Sequence, residues 1–177
     1  IEAIDDTTAA VLLCNPNNPT GTVYRQKDLE RICHVARQKG VCVIIDEVYR
    51  NMVYSHEIFY SPATDSEFKE TVIRVMSFSK DFSLTGWRVG YLHASLTRIP
   101  RLLGIHDTLV NCAPVVSQYA ALAALEVYDE VTSHNLELYR RQRAQMAESL
   151  KKLDELFDFV MPIGAYFFFP RIKLNRS

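Results

Sequence analysis

Short apolar runs that end abruptly in polar clusters are the feature that most restricts how this chain can fold. Such runs occupy residues 9–14 and 41–45, and a third strand is expected at residues 72–76, which are apolar except for Arg74. A continuous apolar run of strand length predicts a strand buried on both faces, which is typical of parallel sheets covered by helices. Between the first two runs, apolar residues recur at helical spacing on one face: Leu29, Ile32, Cys33 and Ala36. The chain therefore begins with the pattern of a βαβ unit.

A fourth strand is predicted at residues 89–92. The gap between the third and fourth strands is too short for a helical crossover, so this pair is expected to be antiparallel. The predicted fold class is α/β, with a mostly parallel sheet, one antiparallel strand and flanking helices.

The second half of the chain changes character. Long helical patterns begin at residue 113, and two further strands are expected at residues 157–160 and 166–169. We therefore expect a large domain over residues 1–112, connecting helices over residues 113–153 and the start of a small domain over residues 154–177.

Composition and charge argue against several functional classes. Hydrophobic residues make up 48% of the chain, charged residues 23%, and the formal net charge is -1. This balance offers no footprint for nucleic acid or an anionic membrane surface, and no apolar run approaches the ~18 residues that span a bilayer. The four cysteines lack CxxC spacing and the histidines lack zinc-site spacing. We therefore expect reduced thiols, no metal site and a cytoplasmic location.

Three polar clusters follow directly on the three buried runs. They are residues 15–21 (NPNNPTG), 46–49 (DEVY) and 77–80 (SFSK). In open α/β sheets, ligands bind outside the carboxyl ends of the strands, so the clusters are expected to converge on one crevice. An amide, a carboxylate, a phenol, hydroxyls and the amine of Lys80 would meet there, and Arg88 follows eight residues after that amine.

These groups have a combined chemical logic. A lysine at a buried strand end pays desolvation, which favours its neutral amine as a nucleophile that forms Schiff bases with carbonyls. A buried carboxylate needs a partner such as a protonated pyridine nitrogen. Hydroxyls with an arginine fork suit a phosphate. One cofactor carries an aldehyde, a pyridine nitrogen, a phenolic oxygen and a phosphate together: pyridoxal 5'-phosphate.

The same segments, with residues 86–90 (GWRVG), resemble the class I/II aminotransferases, which are pyridoxal-phosphate enzymes of the aspartate aminotransferase fold. The resemblance covers essentially the whole chain, in order and with family-like spacing. It implies transfer of an amino group between an L-amino acid and a 2-oxo acid through a Schiff base with the cofactor. It also implies a long connecting helix, the start of a small α+β domain, and a homodimer as the intact protein.

The resemblance implies three catalytic residues. Lys80 resembles the lysine that joins to the cofactor and then carries a proton between substrate and cofactor. Asp46 resembles the carboxylate that keeps the pyridine nitrogen protonated. Tyr49 resembles the tyrosine that hydrogen-bonds the phenolic oxygen of the cofactor.

Further cofactor-binding residues follow from the same resemblance. Asn18 resembles the partner of Tyr49 at the phenolic oxygen, and the family has a cis peptide bond before the residue that matches Pro19. The phosphate ligands are matched by three residues: Ser77, Ser79 and Arg88.

Each motif also has a simpler structural interpretation. Taken alone, residues 15–21 favour a simple turn, and Asp46 with Glu47 fits a helix cap as well as it fits a site. Residues 77–80 could be a solvated strand end, and Arg88 could be a surface charge. Their joint spacing favours a site, because independent turns have no reason to supply a full cofactor set. The neighbouring charged residues are expected to be solvated or structural: Glu47, Arg50 and Asp81.

The residues leave other functions open. Another reaction of the same cofactor, such as that of a carbon–sulfur β-lyase or a cyclopropane-forming synthase, would use the same Schiff base. A non-catalytic aminotransferase-like regulatory domain is a further alternative. The missing initiator Met, and family parts without a counterpart here, lead us to expect an internal piece of an aminotransferase that has weak or no activity alone. Those parts are a phosphate-binding backbone loop, an aromatic that stacks on the cofactor ring, and an arginine for the substrate α-carboxylate.

Overall fold

A four-stranded sheet organises the first half of the chain in the computed structural model, which describes residues 1–55 and 58–173. Its strands are β1 (Ala10–Cys14), β2 (Cys42–Asp46), β3 (Val72–Ser77) and β4 (Gly90–His93). They lie in the order β1-β2-β3-β4, with the first three parallel and β4 antiparallel to β3. The predicted α/β class with one antiparallel strand is confirmed.

Helix α1 (Gln26–Gln38) supplies the crossover between β1 and β2. Its predicted apolar face is buried at Leu29, Cys33 and Ala36, which belong to the same core as Val43 and Ile45 of β2. This burial, more than intrinsic helix propensity, stabilises a helix of such length.

The remaining helices are α2 (Phe78–Asp81), α3 (Ile99–Leu109), α4 (Val115–Glu126) and α5 (Tyr128–Lys151). The last two lie within the predicted connecting segment, although the division into domains stays a prediction. Helix α3 was not predicted, and none of its residues is buried. Among the helices described, none has the length and apolarity to cross a membrane.

The end of the described chain differs from the prediction. Strand β5 (Phe157–Asp158) pairs antiparallel with β6 (Arg171–Ile172), and residues 166–169 are not a strand. That prediction was wrong because the aromatic run packs its rings instead of pairing its backbone: Tyr166 and Phe167 both contact the ring of Tyr49. The last four residues of the predicted small domain lie outside the described residues.

Two smaller apolar clusters place the loops at the sheet edge. One joins the segment after β2 to the turn near residue 165, through Tyr49, Met52 and Ala165. The other packs Phe78 of α2 with Val89 and with Ala121 of α4. The segments that carry Tyr49 and Lys80 are therefore each anchored by their own buried contacts.

Candidate active site

The carboxyl ends of the three parallel strands meet at one edge of the sheet. Asp46, the last residue of β2, lies level with Cys14 of β1 and with Val75 of β3. The backbone N–H of Asn15 donates to the carbonyl of Asp46 at 2.9 Å, and that of Glu47 donates to the carbonyl of Val75 at 3.0 Å. The three polar clusters thus start side by side.

Asn18 and Tyr49 meet at this edge. The side-chain amide of Asn18 donates to the phenolic oxygen of Tyr49 at 3.5 Å. The Tyr49 ring is buried, with the rings of Tyr166 and Phe167 edge-on at 5.5 and 5.2 Å between centroids. Burial, and then the neighbouring Tyr166, raise the pKa of Tyr49. The phenol therefore stays protonated at neutral pH and can act as a donor.

The loop that carries Asn18 is held against the turn at residues 162–164. The carbonyl of Gly21 accepts hydrogen bonds from the N–H groups of Ile163 and Gly164, at 3.0 and 2.9 Å. A Cβ on Gly164 would come within 2.7 Å of the Cβ of Pro16, so only glycine fits there. The peptide bond between Asn18 and Pro19 is cis, as the resemblance implied.

Asp46 ends its strand with a half-buried carboxylate. Its Oδ1 accepts a hydrogen bond from the N–H of Val48 at 3.0 Å, which fixes the side chain at the strand end. The next residue, Glu47, is fully buried, and the Arg74 guanidinium lies 3.9 Å from its carboxylate. Burial raises the pKa of Glu47, while nearby Ser61 and the charges of Arg50 and Arg74 oppose that rise. Glu47 is structural, one of the two roles expected for it.

Lys80 lies in the short helix α2, which begins directly at the end of β3. The hydroxyl of Ser77 caps this helix by accepting a hydrogen bond from the N–H of Ser79 at 3.1 Å. Lys80 is half-buried and lines a cleft of about 390 Å³. The facing wall of that cleft is formed by Tyr139, Gln142 and Tyr166.

Ser77, Ser79 and Arg88 are tied into one corner. Arg88 adopts a left-handed conformation, with φ 52°, and its guanidinium donates to the carbonyl of Thr85 at 2.9 Å. The Thr85 hydroxyl in turn donates to the carbonyl of Ser79 at 3.0 Å. Gly90, two residues after Arg88, lies opposite Ser77 in the sheet, where a Cβ would come within 2.6 Å of a backbone oxygen.

These contacts join the predicted residues into two groups, Asn18 with Tyr49 and Ser77 with Ser79 and Arg88. Tyr166 lies next to both groups, because it touches the Tyr49 ring and lines the same cleft as Ser79 and Lys80. Over residues 1–55 and 58–173, no hydrogen bond joins the Asp46 carboxylate to another predicted site residue.

Sequence reasoning missed the partners of these residues. Tyr139 was visible only as part of one side of a helical pattern, and Tyr166 only as part of an aromatic run. Neither pattern distinguishes a core side chain from one that faces a cleft. Contact with residues distant in sequence is the property that brings them to the site.

Comparison with known proteins identifies relatives that match nearly the whole chain. The family model for class I and II aminotransferases matches residues 1–176. The chain is 39% identical to an aspartate aminotransferase from Thermotoga maritima over 166 residues, covering 94% of this chain and 42% of that protein. It is 36% identical to an aromatic-amino-acid aminotransferase from Thermococcus litoralis over 168 residues, covering 94% and 43%.

Solved structures give the same result. The crystal structure of the Thermotoga maritima aspartate aminotransferase has a TM-score of 0.88 at 37% identity, covering 97% of this chain and 44% of that one. An aromatic aminotransferase from Pyrococcus horikoshii has a TM-score of 0.87 at 35% identity, covering 97% and 46%. The chain thus spans less than half the length of these relatives.

The donor set of this edge fits pyridoxal phosphate, the cofactor of that family. Two hydroxyls and a guanidinium share one corner, and a protonated phenol is paired with an amide. A carboxylate ends the central strand of the three, and an amine lines the adjoining cleft. Each polar group of the cofactor therefore has a chemically complementary side chain at this edge.

Proposed function

The chain belongs to the class I and II aminotransferase family, and on that premise we propose that it works in the transfer of an amino group between an L-amino acid and a 2-oxo acid. The observation that carries the proposal is the link through Tyr166. This one ring touches Tyr49, the partner of Asn18, and lines the cleft that holds Lys80. The phenol–amide pair and the nucleophilic amine therefore lie on either side of one shared neighbour, Tyr166.

Pyridoxal phosphate, when bound, supplies an aldehyde that condenses with amines and a protonated ring that accepts electrons. Asp46 is the residue proposed to hold the proton on the ring nitrogen, because it ends the strand with a fixed carboxylate. Tyr49 and Asn18 are proposed to donate to the phenolic oxygen. The raised pKa of Tyr49 supports this role, since the phenol keeps its proton at neutral pH.

The phosphate is proposed to bind at the corner formed by Ser77, Ser79 and Arg88. The guanidinium supplies positive charge and a forked donor, and the hydroxyls supply further hydrogen bonds. Thr85 hydrogen-bonds both Ser79 and Arg88 and so orders this corner before the phosphate binds. Such preorganisation lowers the entropy cost of binding.

Lys80 is proposed to carry the proton at the reacting carbon of the substrate. A primary amine can take a proton in its neutral form and return it in its charged form, which is general acid–base catalysis. Tyr139 and Tyr166 line the same cleft as this amine.

The names of the relatives bear on the reaction class. They are called aspartate, aromatic-amino-acid and N-succinyldiaminopimelate aminotransferases, so we propose transamination ahead of carbon–sulfur β-elimination, cyclopropane formation or a purely regulatory role. The names differ in the substrate they give. We therefore propose only the substrate class, an L-amino acid with a 2-oxo acid, and no particular amino acid.

We further propose that the natural protein is a cytoplasmic homodimer. Several large apolar side chains of α4 are exposed, namely Val115, Val116, Tyr119 and Leu122. Exposed apolar surface of this extent is typical of an area that further protein covers. Light scattering of the purified natural protein tests the dimer, and a monomeric mass at micromolar concentration would contradict it.

A product screen tests the reaction. The natural protein, with pyridoxal phosphate and a panel of L-amino acids that includes aspartate and phenylalanine, is assayed for oxo-acid formation with and without 2-oxoglutarate. Transamination requires the second oxo acid and forms glutamate. Release of ammonia without 2-oxoglutarate would instead favour elimination, and no turnover with any pair would favour a regulatory role.

A further inference from the structure

Asp81, the residue after Lys80, is a buried carboxylate whose surroundings are unusual. Its side chain is almost fully enclosed, at 3% exposure. Asn51 donates to Oδ2 at 2.8 Å, whereas Oδ1 has no hydrogen-bond partner within the described part of the chain. Burying a carboxylate is costly unless its contacts compensate. The position next to Lys80 therefore points to a role for this side chain.

The hydrogen bonds around Asp81 join three segments. Asn51 lies two residues after Tyr49, and its own side-chain oxygen accepts a hydrogen bond from the Tyr128 hydroxyl at 2.9 Å. Asn135 donates to the backbone carbonyl of Asp81 at 2.8 Å. Tyr128 and Asn135 both belong to α5, the helix that also brings Tyr139 to the Lys80 cleft.

The short helix that carries Lys80 needs such support. Helix α2 has four residues, which is a single turn, and an isolated turn is not stable by itself. Its start is fixed by the Ser77 cap. Its end is Asp81, which is fixed by Asn51 and Asn135. Lys80 lies directly before that second anchor.

We propose that Asp81 is a positioning residue that fixes the amine of Lys80 relative to the phenol of Tyr49, through its bond to Asn51. This inference rests on the proposed function, because the two positioned groups are those assigned to the cofactor and its substrate. The bond joins the segment after β2 directly to the turn after β3.

Substitutions can separate positioning from simple stability. Asp81→Ala and Asn51→Ala each remove the same bond from opposite sides. The first also removes a buried carboxylate, whereas the second leaves that carboxylate without its Asn51 donor, so the two variants differ in everything except the lost bond. Asp81→Asn removes the charge but keeps an oxygen that can accept from Asn51. Asp154→Ala is the matched control, because that aspartate is exposed.

The first experiment compares kcat and KM of these variants in the natural protein loaded with pyridoxal phosphate. Loss of the bond is expected to lower kcat on the order of 10-fold or more with little change in KM, because displacement of a catalytic group mainly slows the chemical step. The double variant Asp81→Ala/Asn51→Ala is expected to be no slower than either single variant, because the two residues act as a pair. Asp81→Asn is expected to keep most of the activity.

The second experiment needs no cofactor. The rate at which an amine-reactive reagent modifies Lys80 is measured by peptide mass spectrometry in the cofactor-free protein. Asp81→Ala and Asn51→Ala are expected to raise that rate by roughly 3-fold or more, because a loosened turn opens more often. Asp154→Ala is expected to match the wild type.

Two results would overturn the positioning role. One is a kcat loss that adds across the double variant. The other is an unchanged Lys80 modification rate in both Asp81→Ala and Asn51→Ala, whatever happens to the melting temperature. A wild-type protein that never binds pyridoxal phosphate at Lys80 would contradict the proposed function instead, and the cofactor-free rates would then still decide whether Asp81 holds Lys80.

Discussion

The amide of Asn18 donates a hydrogen bond of 3.5 Å to the phenolic oxygen of Tyr49, across 31 residues of sequence. This bond joins the polar cluster after β1 to the one after β2. Tyr166 extends the connection to the cleft that contains Lys80, since its ring contacts Tyr49. Tyr166 is thereby a common neighbour of the phenol–amide pair and of the Lys80 cleft.

Tyr49→Phe removes the hydrogen bond that Tyr49 is proposed to donate to the phenolic oxygen of the cofactor. A hydrogen bond to a charged group contributes about 1.5–3 kcal/mol, so the kcat of the natural protein is expected to fall roughly 10-fold or more. The ring contacts with Tyr166 and Phe167 are kept, and the hydrogen bond lost from Asn18 is long, at 3.5 Å, so the melting temperature is expected to change little. Steady-state kinetics and thermal unfolding check the two parts. Tyr91→Phe, at an exposed position on β4, is the control. A Tyr49→Phe variant with wild-type kcat would remove Tyr49 from the proposed machinery.

Gly164→Ala is expected to destabilise the protein by about 1–3 kcal/mol, because overpacking a closed contact costs energy of this order. The added methyl group would meet the side chains of Pro16 and Val23, each at 2.7 Å. Denaturant unfolding measures the change. Gly104→Ala in α3 has nothing within reach of its new methyl group, so it is expected to leave stability unchanged or to raise it by up to ~1 kcal/mol. Equal effects of the two substitutions would contradict the close packing of the Asn18 loop.

Asp81→Asn is expected to stabilise the protein in a pH-dependent way. Burial raises the pKa of Asp81 from 3.8 to about 6, against the opposing effects of Asn51 and Arg50. The folded state therefore binds this proton more tightly than the unfolded chain. The resulting stability is fully present below pH 3.8 and is lost as the pH rises through about 6.

Asparagine does not titrate, so its advantage over aspartate should grow between those two pH values and reach at most about 3 kcal/mol above them. Melting temperatures of both proteins, measured from about pH 4 to pH 8, check this expectation. Asp154→Asn, at an exposed site, should show a flat difference from the wild type. A flat difference for Asp81→Asn as well would mean that the Asp81 carboxylate is not destabilised by burial.

Strands β1 and β2 could be predicted because each is a continuous apolar run, although β1 is not buried on both faces, since Leu12 is exposed. Burial of β2 at Val43 and Ile45 leaves no polar residue in the interior of that strand, so the local pattern was sufficient. Helix α3 could not be found in this way, because none of its residues is buried and it has no core-facing stripe to detect. The aromatic run at residues 166–169 was wrongly predicted to be a strand. Aromatic residues have a high β propensity, but that propensity does not distinguish a strand from a loop whose rings, here those of Tyr166 and Phe167, pack on Tyr49.

The candidate site divides in the same way. Its polar side chains were predictable because each cluster directly follows a parallel strand, where the topology of the sheet brings the strand ends to one edge. The support around them was not predictable. The bond between Asn51 and Asp81 joins residues 30 positions apart, and no local pattern marks either one. An aspartate next to a lysine resembles a surface pair until the packing of α5 is known.

Borohydride trapping tests the central claim most directly. The natural protein is incubated with pyridoxal phosphate, reduced, digested and analysed by peptide mass spectrometry, alongside Lys80→Ala and the exposed-lysine control Lys27→Ala. The cofactor mass is expected on Lys80 in the wild type and in Lys27→Ala, with loss of the visible Schiff-base absorbance in Lys80→Ala. Cofactor attached to other lysines but not to Lys80, or an unchanged absorbance in Lys80→Ala, would contradict the assignment of this edge as the cofactor site.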